Sequence, residues 1–253
     1  MKHALTVFFL CIFISVLNSS CKDPSENKRA DLNNKNDSTA KSKTVRYKVI
    51  SAAEQAALTP DLVMQRLKDG NKRFLDSDLT VRDHSSLIQD ARQGQFPMAV
   101  ILSCMDSRVP VEDVFDCAIG DLFVCRVAGN VVNADMLGSL EYGCNVSGSK
   151  LIVVLGHKYC GAVKSAIKDV KLGNITQLLQ KIKPAIAQAA NFSGEKIYSN
   201  DDYVTQVAIA NAKNTVAEIK KKSPLLKAMA DKGQLKIVAA GYNLKNGEIV
   251  FFE

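Results

Sequence analysis

The sequence has no tryptophan, only three histidines among 253 residues, and no two cysteines in C-x-x-C spacing. Each absence narrows the field. A closed structural zinc site takes four thiolate or imidazole ligands, and such a set is hard to assemble from this composition. Nucleic-acid binders carry basic stripes with aromatics among them. This chain is +7 net, but its basic residues are scattered and Lys220 to Lys222 form the only dense run. The charge therefore reads as a solvated surface, and no nucleic-acid partner is expected. There is also no apolar run of ~20 residues, the length that a membrane span needs.

The chain opens instead on a shorter apolar segment. In "MKHALTVFFLCIFISVLNSSC", Lys2 and His3 precede an apolar run from Ala4 to Leu17, then small polar residues and Cys21. That layout is a secretory signal over residues 1–20. "LNSSC" resembles a bacterial lipoprotein cleavage box, which implies lipidation of Cys21; a plain signal peptide cut near Ser20 is the alternative. Asn18 departs from the aliphatic residue usual there. Residues 21–54 are polar and nearly free of apolar side chains, a composition that cannot fold alone. They read as a tether, and the body as residues 55–253. The expectation is an exported protein of a bacterium, periplasmic or membrane-anchored, touching the membrane only through its lipid.

Within the body, Thr59 and Pro60 have the types of an N-cap and a first helical residue, and Gly70-Asn71 are expected to end or interrupt that helix. "PMAVILSC", "DLFVCRVAG" and "KLIVVLGH" are short continuous apolar runs, the pattern of strands buried on both faces. "ADMLGSLEYGCNVSG" and "GAVKSAIKDVKLG" read as helices, and a helical region follows over 175–230, broken at Ser193-Gly194. "QLKIVAAGYN" and "GEIVFFE" are late strands with Asn246-Gly247 as their turn. Strands alternating with helices specify an α/β fold with a mainly parallel sheet flanked by helices. Ligands in such sheets gather beyond the carboxyl ends of the strands.

Cys104 ends the first strand, His157 ends the third, and Cys160 opens the following helix. Two strand ends on one rim can bring these residues to one zinc ion, for which thiolate and imidazole are the preferred ligands. Of the other histidines, His3 lies in the leader and His84 reads as a loop residue, so three ligands and one exchangeable position is the sharper expectation. Asp106 is a possible fourth ligand. Arg108, two residues on, points to the same side in extended chain and can hold the Asp106 carboxylate in a bidentate pair, turned from the metal. Cys117, Cys125 and Cys144 sit in apolar or helical contexts and are expected to be buried small residues.

"CMDSRV" followed by "LIVVLGHKYCGAV" resembles the β-class carbonic anhydrases. "LKDGNKRF", "GDLFVCRVAGN", "GSLEYG" and "AAGYNLKNGEIVFF" resemble further segments of that family, in order. The resemblance implies that family's fold with an N-terminal helical arm, and one Zn2+ per chain on Cys104, His157 and Cys160. It implies Asp106 and Arg108 as catalytic dyad, with Asp106 able to ligate the metal in an inactive state. It further implies reversible hydration of carbon dioxide to bicarbonate and a proton, with zinc lowering the pKa of bound water to ~7. Gln95, Phe123 and Tyr142 match the pocket residues of the plant-type subgroup. Ile101 stands where the other subgroup has a tryptophan. A homodimer or higher even oligomer is implied, with pocket residues shared across the pairing. Val127 and Lys158 depart from the family's usual asparagine and serine or threonine. Hydrolysis of carbonyl sulfide or carbon disulfide on the same scaffold, and an inactive zinc-binding module, are the alternatives. The Asp106–Arg108 pair argues against the module, which would not need it.

Overall fold

The computed structural model describes residues 47–252; the signal segment, Cys21 and the tether up to residue 46 lie outside the described residues. Five strands form one sheet in the order β2-β1-β3-β4-β5. They are β1 (Ala99–Ser103), β2 (Leu122–Arg126), β3 (Leu151–His157), β4 (Lys236–Tyr242) and β5 (Ile249–Phe252). The first four run parallel, and β5 returns antiparallel to β4. All residues of β1 and β3 are buried, as their unbroken apolar sequences require when helices cover both faces. The return between β4 and β5 is the expected turn: Gly247 takes φ 84° and its N–H donates to the Asn243 carbonyl.

One face of the sheet is covered by α2 (Pro60–Leu75) and α4 (Val111–Val114). Val63, Met64 and Leu67 of α2 pack there with Ile101, Val153, Leu155 and Phe115. The opposite face carries α5 (Ala134–Glu141), α9 (Asp201–Lys222) and α10 (Pro224–Asp231). Val100, Leu102, Ile152 and Val154 meet Leu140, Ala212, Ile219 and Leu226. Alternate residues of β1 and β3 thus serve opposite cores, as the strand period dictates. A third cluster joins Cys104 and Cys160 to α6 (Gly161–Ile167), α7 (Gly173–Gln180), α8 (Lys183–Gln188) and α9.

Three expectations need correction. The helix capped by Thr59 does not stop at Gly70-Asn71 but runs on to Leu75. Gly70 is there because a Cβ would lie 1.9 Å from the Phe115 carbonyl oxygen. Asn71 is buried, donates to the Val114 and Gly247 carbonyls, and accepts from the Ile249 N–H. Both residues bind the helix to its own chain rather than end it. The boundary at residue 55 is also late. Tyr47 donates to the Asp121 carboxylate, Ile50 packs on the first core, and Ser51 caps α1 (Ala52–Ala56). Finally, His84 is not in a loop: it opens α3 (His84–Ala91), capped by Asp83, and is exposed.

Candidate metal centre

Cys104 follows β1, whose last residue is in register with Leu155 of β3, so Cys104 and His157 stand at the same carboxyl edge. After His157 the chain turns through Tyr159, a non-glycine residue at φ 60°. That left-handed step costs of order 1 kcal/mol and carries Cys160 back to the N-cap position of α6. The outcome is a buried trio. Cys104 is 4%, His157 2% and Cys160 1% exposed. Their ligand atoms lie within 4.8 Å of one another, and the two sulfurs are 4.0 Å apart.

The imidazole is oriented for ligation. His157 Nδ1 lies 2.8 Å from the Lys158 carbonyl oxygen, so Nδ1 carries the proton and Nε2 keeps its lone pair. Nε2 is buried with no hydrogen-bond partner. A buried orphan acceptor of this kind costs about 1–3 kcal/mol, and a cation between it and the two sulfurs would satisfy it. Two sulfurs and one nitrogen are the donor set that zinc prefers. Shared protonation separates the thiols. The hydrogen bond from Cys160, with those from the Gly129 and Asp106 N–H groups, holds the Cys104 thiol below its ordinary value. The Cys160 thiol is pushed up by the same bond and by burial.

Asp106 borders the trio. Its Oδ2 is 3.8 Å from His157 Nε2, but both oxygens are engaged by Arg108. Arg108 Nε donates to Oδ1 at 2.9 Å and Nη2 to Oδ2 at 2.7 Å, while the Arg108 main-chain N–H adds a bond of 3.0 Å to Oδ1. The guanidinium holds the carboxyl down to about 2. Asp106 is thus an ionised acceptor fixed beside the trio. Arg126, which the sequence did not single out, donates to the Cys104 and Asp106 carbonyls at 3.0 and 2.5 Å and pins the segment to β2.

The remaining sequence candidates lie elsewhere in this chain. Phe123 pairs in register with Val100, four residues before Cys104, about 13 Å along the strand. Tyr142, 52% exposed, meets Phe123 edge-on with ring centroids 6.4 Å apart. Gln95 is exposed in the segment leading into β1. These three gather toward the amino edge of the sheet, and one chain does not bring them to the metal trio. Cys117 and Cys144 are buried and Cys125 half-buried, all free, their thiols raised by burial.

Comparison with known proteins identifies the family and the fold. Residues 99–249 match the sequence model of a family described as carbonic anhydrase. A carbonic anhydrase of Mycolicibacterium smegmatis is 33% identical over 200 residues, covering 75% of this chain and 92% of that protein. The β-carbonic anhydrase CafA of Aspergillus fumigatus superposes with a TM-score of 0.59 at 24% identity, over 76% of this chain and 90% of that one. One of two tetrameric β-carbonic anhydrases from Sordaria macrospora superposes with a TM-score of 0.57 at 21% identity, over 76% and 94%.

Proposed function

The chain belongs to the β-class carbonic anhydrase family, and on that premise we propose that it binds one Zn2+ through Cys104, His157 and Cys160 and catalyses the reversible hydration of carbon dioxide to bicarbonate and a proton. The observation that carries the proposal is the buried trio, with its orphaned His157 Nε2, beside a carboxylate that is already engaged. When bound, zinc supplies the Lewis acidity that brings the pKa of water to about 7. The chain's own residues do the rest. Asp106 is ionised at neutral pH and accepts a hydrogen bond from the reacting water, orienting its lone pair toward carbon dioxide. Arg108 occupies both carboxylate oxygens and so keeps Asp106 out of the ligand set, where it would give an inactive state.

The substrate slot needs apolar walls and an amide donor. Phe123, Tyr142 and Gln95 supply these chemistries, but from the far edge of the sheet. We therefore assign them to the site of a second copy, in a homodimer or higher even oligomer, as in the plant-type subgroup. Ile101 and the absence of tryptophan support that subgroup. The signal segment and Cys21 support export and a lipid anchor in the periplasm.

Stopped-flow carbon dioxide hydration by the purified protein, with zinc counted per chain, tests the reading. About one zinc per chain and turnover that disappears with the metal are expected. A zinc-loaded protein without hydration activity would overturn it.

A further inference from the structure

An asparagine is an unusual choice for the buried face of a long helix. It is a poor helix former, and a buried carboxamide must find partners for all its groups. Asn211 stands near the middle of α9, 1% exposed, between Val207 and Thr215 on the buried face. Its Nδ2 donates to the Gly129 carbonyl at 2.7 Å. Its Oδ1 is buried without a partner. A leucine there would remove the orphaned Oδ1 but would leave the buried Gly129 carbonyl without its side-chain donor, so the one bond that Asn211 makes is what the position is built around.

What Asn211 grips explains it. Gly129 lies in the short turn Ala128–Asn130 at φ 71°, ψ 17°. A Cβ at Gly129 would lie 2.7 Å from Ile182 Cδ1. The Gly129 N–H donates to Cys104 Sγ at 3.4 Å. The turn is tied at its start, where the Val127 N–H donates to the Ser103 carbonyl. At its far end Asn130 is also left-handed, φ 44°, and its buried Nδ2 has no partner. Nothing in the turn's own side chains therefore fixes the Gly129 peptide. The bond from Asn211 fixes the Gly129–Asn130 peptide, and through the Gly129 Cα it braces the adjoining Ala128–Gly129 peptide, whose N–H is aimed at the sulfur.

We infer that Asn211 is a positioning residue for the metal: through Gly129 it holds the Cys104 sulfur in place from the core of α9. Partners bonded directly to a ligand change metal affinity by 10–100-fold; Asn211 acts one bond further out, through Gly129, which sets the expectation at the low end of that range, about 10-fold. This rests on the Cys104–His157–Cys160 metal reading, and the experiment keeps the two apart.

Asn211→Leu is compared with wild type and with Asn214→Leu. Asn214 lies on the same helix, and its buried Nδ2 has no partner. Zinc release from each holoenzyme is followed with a chromogenic chelator. The sulfur-to-cobalt charge-transfer band of the cobalt(II)-loaded protein and the Gly129 amide proton shift give two further readouts. The expected result is zinc held about 10-fold more weakly in Asn211→Leu alone, with a shifted cobalt band and a displaced Gly129 amide. Equal weakening in both variants would mean general loosening of α9 and would overturn the inference. So would weakening without change in the band or the amide, and so would wild-type affinity in Asn211→Leu. Failure of the wild-type protein to bind zinc would sink the metal reading itself.

Discussion

Replacing Arg108 with alanine separates charge from orientation at Asp106. The side chain contributes two of the three bonds to that carboxylate, at 2.9 and 2.7 Å; the main-chain N–H bond survives the substitution. Hydrogen bonds to charged groups are worth ~1.5–3 kcal/mol each. The Arg108 side chain is 54% exposed, so screening reduces the pair to roughly 2–3 kcal/mol. That is about a 30–150-fold loss in the population of the held rotamer. Freed, the carboxylate has Nε2 of His157 3.8 Å away and a cation to approach. Protonation cannot be the cause. The carboxyl is held at about 2 and would rise only toward ~4 without its partner, so it is ionised near neutrality in both proteins. The expected outcome is turnover reduced about 100-fold, with zinc content unchanged and a constant deficit between pH 6.5 and 8.5. Stopped-flow hydration with a pH indicator, alongside metal analysis, measures it. Wild-type turnover, or a deficit that closes as the pH rises, would refute the orientation argument.

Cys104→Ser, His157→Ala and Cys160→Ser should each lose zinc, and the proteins should melt at lower temperature because metal binding and folding are coupled; full zinc in all three would remove the site. Asp116 is buried and bonded to Arg73, Thr80 and Arg82, which lower its pKa. A depressed carboxyl stabilises above its unfolded pKa of ~3.9 and loses that contribution as the pH falls through the folded value. Asp116→Asn should therefore cost ~3 kcal/mol at pH 7 by urea unfolding, and the difference should shrink below about pH 4; a difference independent of pH would contradict it. Mixing Cys104→Ser chains with Gln95→Ala chains, each inactive alone, should restore roughly a quarter of wild-type turnover if even oligomers share their pockets. No recovery after confirmed subunit exchange would mean that one chain suffices. Mass spectrometry of the membrane fraction should find a lipidated Cys21 as the mature N-terminus, and a soluble chain beginning elsewhere would defeat the anchor.

The strands were legible because burial on both faces leaves unbroken apolar runs, and "AVILS" and "LIVVLGH" can hardly be anything else. Cys104, His157 and Cys160 were legible for a related reason. Strand ends of a parallel sheet share one rim, so their positions along the chain already imply that they meet. The errors came where tertiary contacts overrule local propensity. Gly70-Asn71 reads as a stop because glycine and asparagine are poor helix formers. Only the fold shows that Phe115 presses its carbonyl against Gly70, and that Asn71 joins carbonyls some 43 and 176 positions away. The same fact removes one argument for pairing. An apolar stripe on an N-terminal helix is a natural face for a second copy, but in α2 Val63, Met64 and Leu67 are covered by their own chain. The case for an oligomer now rests instead on strand polarity, which puts Cys104 and Phe123 at opposite edges of one sheet.

The two departures at the centre, Lys158 and Val127, follow from how the site is built. The neighbours of the ligands act through their backbones. His157 is oriented by the carbonyl of Lys158, which any residue there presents. Val127 contributes its N–H to Ser103 and its carbonyl to Asn130, while its side chain packs between two cores. Gly129 offers an N–H to Cys104 and a carbonyl to Asn211. Arg126 grips carbonyls of Cys104 and Asp106 rather than their side chains. A site held this way constrains φ and ψ more tightly than side-chain identity. Variation is then cheap at 127 and 158. It is costly at Gly129, whose left-handed φ and contact with Ile182 exclude a Cβ, and at Asn211, which alone reaches the Gly129 carbonyl from α9. Tyr159 belongs with these two in conformation but not in chemistry: its φ of 60° makes the turn, and glycine or asparagine would make the same turn with less strain.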